Sequence, residues 1–371
     1  MCRFIVVMLV IVLTGCDPGS DSIVQRYQYT FSPLGGVVNS EELPFRSELC
    51  LNGKWNFMPV YADDISRFTL PQHFEWDSVP IKIPSPWNAN SFGKGEGGNF
   101  STYPSYPTEW EKANIGWMKR EFVLPESWNK KVLRIHFEAI AGLSRTYING
   151  KLAGEHHDLS LPTEVEATQL LHRGTNEIVV GIAKESLASV GEDYSRSRSI
   201  AGSFWGQHVA GIWQDVHVIA VPEMMIENVH VDPDLKSKEL TVRATIHNYS
   251  NSSQKITGAA VVRSWKKNAV YEEAVSNSCW TLGAEVLNFS ATNVIELPAG
   301  CTTQLLFRQK VEDQLDRWTP DEPHLYGLTV ELDTENNVPI DRKFVRFAWR
   351  QFTMEGTKLL LNGAPVEWAL N

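Results

Sequence analysis

With 371 residues, 43% apolar and 21% charged, the chain has an ordinary globular composition and the length of about two domains, which excludes a disordered polymer. The formal net charge is -10, and no run of Lys or Arg offsets it locally. Such a surface repels phosphate backbones, so nucleic acid is excluded as an expected partner.

The chain opens on a targeting pattern. Arg3 precedes a short apolar run from Phe4 to Leu13, too short for a comfortable membrane span. Leu13-Thr14-Gly15-Cys16 follows, and it resembles the bacterial lipobox, in which the cysteine is acylated and becomes the mature N-terminus. An ordinary signal peptide with an incidental cysteine is the other reading. Residues 17–22 are Asp, Pro, Gly and Ser only and read as a polar tether. The expectation is lipidation at Cys16 and export to the periplasmic or cell-surface side of a bacterial membrane. Of the five cysteines, Cys50, Cys279 and Cys301 then remain, without metal-ligand spacing. Export permits a Cys279–Cys301 disulfide, and free thiols are the alternative. Neither a metal nor a cofactor is expected.

Beyond the tether, period-two alternation dominates. Leu133, Ile135 and Phe137 alternate with Arg134, His136 and Glu138. Leu240, Val242, Ala244 and Ile246 alternate with polar residues, as do Leu328, Val330 and Leu332. One buried and one wet face is the signature of antiparallel sheets. Asn52-Gly53, Asn149-Gly150, Arg173-Gly174 and Asn362-Gly363 mark turns. No long amphipathic helix stands out, so the fold class is all-β, built of sandwiches. A break near Val221-Pro222 separates two strand sets, each expected to fold on its own.

Several motifs in chain order carry a family resemblance. Asn52-Gly53-Lys54-Trp55-Asn56-Phe57, Ile83-Pro84-Ser85-Pro86-Trp87-Asn88 and the strand from Ile115 to Phe122 come first. Tyr147-Ile148-Asn149-Gly150, Gly174-Thr175-Asn176-Glu177 and Gly211-Ile212-Trp213-Gln214-Asp215-Val216 follow. Trp318 through Tyr326, Phe347 through Phe352 and Leu360 through Val366 complete the set. This collinear set resembles the N-terminal half of family 2 glycoside hydrolases, the family of β-galactosidases, β-glucuronidases and β-mannosidases. The resemblance implies a galactose-binding-like jelly roll over residues 23–222 and an immunoglobulin-like sandwich over residues 223–350. It implies that residues 351–371 lead toward a catalytic (β/α)₈ barrel. Such a barrel takes about 250 residues, and only about 20 follow Arg350, so the chain reads as truncated before it.

Physical reasons for these motif residues are structural. Asn149-Gly150 suits a turn in which both central residues have positive φ. Gly211 permits close backbone approach, Trp213, Val216 and Val218 fill the core, and Trp318 and Tyr326 plug a sandwich end.

Chemistry is hard to find. A retaining glycosidase needs two carboxylates about 5 Å apart, which the family carries on barrel strands. Asn176-Glu177 is the lone Asn-Glu pair in the family's order, but it falls in a sandwich turn, and Glu177 reads as an exposed strand residue. His156-His157-Asp158 reads as a solvated loop without a partner carboxylate, because adjacent strand histidines would point to opposite faces. Gly93 to Gly98 lacks the strand and helix that a phosphate cradle requires. No nucleophile elbow, zinc-protease motif or P-loop occurs, and no catalytic residue is assigned.

By the resemblance, two loops of the first domain contribute sugar contacts in some members. The candidate residues are Asn99 and Tyr103 in one and Trp205, Gln207 and His208 in the other. Both loops depart from the family pattern, with an extra residue after Asn99 and no acid before Gly211. Carbohydrate is the expected partner, bound weakly or together with a barrel. The expected role is the non-catalytic N-terminal portion of a glycosidase of carbohydrate metabolism. A stand-alone carbohydrate-binding surface lipoprotein is the alternative. Leu359, Leu361, Val366, Trp368 and Leu370 would form an exposed apolar surface prone to self-association.

Overall fold

Alternation becomes strands throughout the computed structural model, which describes residues 37–43, 45–88, 106–188, 209–267 and 280–366. The first sandwich contains β1 (Ser47–Cys50), β2 (Gly53–Val60), β3 (Ile81–Ile83), β4 (Ile115–Val123), β5 (Val132–Phe137), β6 (Ile140–Ile148), β7 (Lys151–Asp158), β8 (Thr163–Glu166), β9 (Thr175–Ala183), β10 (Gly211–Ile212) and β11 (Val216–Val221). The single α-helix among the described residues, α1, is the short turn Glu185–Ala188. One sheet runs β1-β11-β5-β8, and the facing sheet runs β10-β6-β9-β4-β2-β3 with β7 beside β6. Leu133, Ile135 and Phe137 point inward as their spacing requires, and they meet Trp55, Phe57 and Trp87 in one core. Each such side chain stabilises by about 1.5–3 kcal/mol on leaving water.

The turn signals serve two different purposes. Asn149 and Gly150 have φ of 50° and 77° and close the β6–β7 hairpin, as two positive-φ residues should. Asn52-Gly53 instead passes the chain from one sheet to the other. Asn52 is buried there, its amide donating to Asp215 at 3.0 Å while its oxygen accepts from Val216 N–H at 3.0 Å. Asn176 is also a scaffold residue. Its buried amide donates to the carbonyls of His172 and Gly174 and accepts from Asn149. Its neighbour Glu177 lies half-buried on β9 and pairs with Lys119 at 2.5 Å.

The second sandwich contains β12 (Met224–Asp234), β13 (Glu239–Asn248), β14 (Gln254–Lys267), β15 (Trp280–Phe289), β16 (Ile295–Leu297), β17 (Thr302–Lys310), β18 (Leu325–Thr334) and β19 (Pro339–Phe347). Its sheets are β12-β13-β17 and β15-β14-β18-β19, with β16 beside β14. Leu240, Val242, Ala244 and Ile246 are fully buried against Leu328, Val330 and Leu332. Tyr326 is buried, its hydroxyl accepting from Asp316 N–H at 2.7 Å, while Trp318 lies half-buried beneath the Arg350 guanidinium. Among the described residues no sheet contains strands from both sandwiches.

Contacts nevertheless join them. Arg46 forks onto Asp341 at 3.0 and 2.5 Å and donates to the Ile226 carbonyl at 2.7 Å, and the Ile226 N–H closes the ring on Asp341 at 2.7 Å. Arg134 binds Glu227 at 2.9 and 2.6 Å, and Tyr249 donates to the same carboxylate. Val38, Val132, Ile219, Val221 and Met225 pack beside these pairs.

The last strands are β20 (Phe352–Glu355), β21 (Lys358–Leu361) and β22 (Ala364–Pro365). They correct the expected apolar surface. Leu359, Leu361 and Val366 are half-buried and Leu360 is buried, because β21 leans on the second sandwich through Asn362, whose amide reaches the Trp318 carbonyl. The open apolar side chains are Phe352 and Met354, 48% and 71% exposed. Trp368 and Leu370 lie outside the described residues.

Candidate functional site

Of the two segments that carry the candidate sugar contacts, residues 89–105 and 189–208, three of the four ends meet around one side chain, Trp87. Residues 85–87 run beside β10, with Ser85 N–H donating to Ile212 at 2.9 Å and Trp87 N–H donating to Ala210 at 3.1 Å. Gly211 permits this approach. Its φ is +134°, and a Cβ there would lie 3.1 Å from Pro86 Cα. The next side chain, Asn88, accepts the Ala210 N–H at 3.1 Å. One segment therefore departs a single hydrogen bond from where the other arrives.

The root at Tyr106 gathers at the same place, while α1 carries the fourth end, at Ala188, toward a separate cluster around Phe68 and Trp117. Lys184, at the end of β9, donates to the Glu111 carbonyl at 2.9 Å and lies 5.8 Å over the Trp87 ring. Tyr106 stacks on Trp110 at 4.9 Å, and Phe57 bridges Trp110 to Trp87. Aromatic residues of the Trp55 and Trp87 motifs thus gather three of the four ends, at Asn88, Tyr106 and Ala210. Asn99, Tyr103, Trp205, Gln207, His208 and the N-terminal Cys16 lie outside the described residues.

Beside α1 sits a polar group that sequence reasoning misplaced. His156, His157 and Asp158 belong to β7, not to a solvated loop. His157 also has a partner carboxylate, Glu185, with Nε2 and Oε2 2.6 Å apart. The two residues are 28 positions apart, and no local pattern links them. His156 faces the other way, as adjacent strand residues must. Burial lowers its pKa, and its Nε2 has no hydrogen-bond partner. Asp158 accepts the N–H groups of Leu159, Ser160 and Leu161 at 2.7–2.9 Å. Burial opposes its ionisation, but those three bonds hold its carboxyl below the usual range. Trp213 is half-buried rather than in the core, because its indole N–H is drawn to the Leu159 carbonyl at 2.7 Å. No described group of three His, Cys, Asp or Glu could hold a metal ion.

Of the described carboxylates with a displaced pKa, all but Asp333 are held low. A general acid needs a raised pKa. Hydrogen bonding to His136 holds Glu138 below its usual range, and Glu164 is brought down to about 2 by the same histidine. Glu227 is also low, since Arg134 and Tyr249 outweigh its burial. Asp333 is pushed up by burial and by Glu331, which lies two residues before it on β18 and is bound to Arg342. Cys50 is buried, which raises its thiol to about 11 and leaves it protonated and inert. Cys301 is exposed, and Cys279 lies outside the described residues. No described helix is long and apolar enough to cross a membrane.

Comparison with known proteins places both sandwiches in one family. Residues 49–222 match the sugar binding domain of glycosyl hydrolases family 2, and residues 224–350 match a second family 2 domain. A β-galactosidase of Pseudoalteromonas haloplanktis is 24% identical over 355 residues, covering 90% of this chain and 31% of the relative. A β-galactosidase of Priestia megaterium is also 24% identical, over 85% of this chain and 29% of the relative. The fold resembles that of Bacteroides uniformis β-glucuronidase 2, solved covalently bound to cyclophellitol-6-carboxylate aziridine. Its TM-score is 0.61 at 20% identity, covering 87% of this chain and 35% of that one. A putative β-galactosidase from Bacteroides fragilis gives the same TM-score, 0.61, over 44% of its length. The chain spans about a third of the curated relatives it matches. Its two β-sandwiches are the jelly-roll and immunoglobulin-like domains of that family, with no helical barrel among the described residues. With both family domains matched end to end across most of its length, the chain belongs to glycosyl hydrolase family 2.

Proposed function

We propose that these 371 residues are the non-catalytic N-terminal portion of a family 2 glycosidase of carbohydrate metabolism, whose family reaction is hydrolysis of O-glycosidic bonds. The observation that carries this reading is the coverage: the likeness runs over 90% of this chain but 31% of the β-galactosidase it resembles. The portion present supports a catalytic domain and lends it one wall of a sugar cleft. That wall is the Trp87 end of the first sandwich, where residues 89–105 and 189–208 are rooted together. The open side chains Phe352 and Met354 on β20 are the surface a catalytic domain would cover, and without one they favour self-association.

On this reading the sugar contacts are incomplete. Binding of galactose, glucuronate or mannose oligosaccharides to the chain alone is expected to be no tighter than roughly millimolar, about −4 kcal/mol. Titration calorimetry checks this. Micromolar binding would favour the stand-alone carbohydrate-binding lipoprotein. For localisation we propose export and acylation at Cys16, supported by the apolar run before it and the polar tether after it. Mass spectrometry of the mature N-terminus should find a lipid-modified cysteine. An unmodified terminus elsewhere contradicts the anchor.

A further inference from the structure

Edge strands are sites of unwanted pairing, and proteins guard them with shortness, bulges, proline or charge. Most described edges here are guarded. β1, β3 and β8 have four residues or fewer. The pairings of β7, β12, β15 and β19 with their neighbours each carry a register shift. β12 also contains Pro233, and β19 is held from the first sandwich through Asp341 and through Phe344, whose N–H donates to Glu42.

β17 is different. It pairs with β13 from Thr302↔His247 to Lys310↔Glu239 with no shift, and among the described residues no strand lies on its other side. It contains no proline, its charge is confined to Arg308 and Lys310 at one end, and its inward residues Leu305 and Phe307 are buried in the core. Thr302, Gln304, Leu306, Arg308 and Lys310 form its exposed outer row, with Leu306 48% exposed.

Backbone direction can be derived from the two ends of the ladder. Val311 N–H donates to the Lys238 carbonyl at 2.9 Å, and the Cys301 carbonyl accepts from Asn248 N–H at 3.0 Å. Odd-numbered residues therefore face β13. By the alternation of an antiparallel ladder, the N–H and C=O groups of 302, 304, 306, 308 and 310 face the open edge. A second copy of the strand, placed antiparallel about a two-fold axis at Leu306, brings these same groups into register. Leu306 then meets Leu306, Gln304 meets Arg308, and Thr302 meets Lys310. No like charges are opposed, and every facing pair can exchange two backbone hydrogen bonds.

We propose that β17 is a self-pairing edge, through which two copies of this chain join their β12-β13-β17 sheets into one continuous sheet centred on Leu306. A single strand pair buries less than a standard interface, so the dimer is weak and concentration-dependent.

Two measurements test it on the full chain. In a Cys301→Ser background, mild oxidation should cross-link the Leu306→Cys chain, since hydrogen-bonded antiparallel partners sit about 5.5 Å apart at Cα, within disulfide reach. Gln304→Cys alone should not cross-link above the parent level, but a mixture of Gln304→Cys and Arg308→Cys chains should. In sedimentation equilibrium, Leu306→Lys should raise the dimer dissociation constant about tenfold or more, by opposing two ammonium groups. In a chain lacking residues 351–371, and so without the β20 contribution to self-association, Leu306→Lys should still raise the constant about tenfold. Equal cross-linking of Leu306→Cys and Gln304→Cys chains would overturn the proposal. So would an unchanged dissociation constant in Leu306→Lys, dimerisation lost only with residues 351–371, or a wild-type chain monomeric at every concentration.

Discussion

Replacing Arg46 with alanine should destabilise the chain by about 3–5 kcal/mol, the cost of leaving a buried charge without its partner. Both side chains are out of water: Arg46 is 5% exposed and Asp341 is 0% exposed. With the guanidinium gone, Asp341 keeps the Ile226 N–H but loses two charge-assisted bonds, and the Ile226 carbonyl loses a donor. The loss should reach both sandwiches, because Arg46 precedes β1 of the first while Asp341 lies on β19 of the second. Replacing both partners, as in Arg46→Met with Asp341→Leu, should cost less than the sum of the single changes, since no orphan charge remains. Urea unfolding of the four proteins checks this. Additive single effects, or a loss below 1 kcal/mol in Arg46→Ala, would show that the sandwiches are not coupled through this pair.

Raising the pH from 7 to 10 should remove a second contribution, of about 3 kcal/mol, centred on His136. Its ring is 9% exposed and lies between Glu164 at 3.0 Å and Glu138 at 3.2 Å. Burial alone would lower its pKa, but the two carboxylates win and raise it to about 9. A group whose folded pKa exceeds its unfolded value stabilises fully below the unfolded pKa, about 6.5, and loses that effect as pH rises through about 9. Glu164 works in the opposite direction. Its carboxyl, brought down to about 2, contributes above about 4.5 and is lost as pH falls through 2. The two shifts describe one interaction and are counted once. His136→Gln should flatten the alkaline limb of stability against pH. Parallel wild-type and variant profiles between pH 7 and 10 would contradict the assignment.

Neither effect is legible in the sequence. Arg46 and Asp341 are 295 positions apart, and each reads alone as an ordinary solvated charge. Period-two patterns are different, because burial on one face repeats within a few residues. Leu133 to Phe137 and Leu240 to Ile246 therefore declare their sheets at once. Asn149-Gly150 is equally local, since its turn depends on two adjacent φ angles. Where a polar residue's role depends on a distant partner, the local pattern misleads. His156-His157-Asp158 looks like a loop because a polar triplet hides the strand, and Glu185 supplies the missing partner only after folding. Trp213 looks like core until its N–H finds Leu159. At the candidate site, motifs in the sequence name both candidate segments. Structure adds that they share roots at Trp87, Asn88 and Ala210, a juxtaposition concealed by a separation of 122 positions.

The role proposed for these residues is scaffold and sugar-cleft wall. The most direct test is turnover of nitrophenyl β-galactoside, β-glucuronide and β-mannoside by the purified chain. None is expected of residues that serve as scaffold alone. Turnover that co-purifies with the chain and disappears when a single carboxylate within residues 23–371 is replaced by its amide would contradict that role.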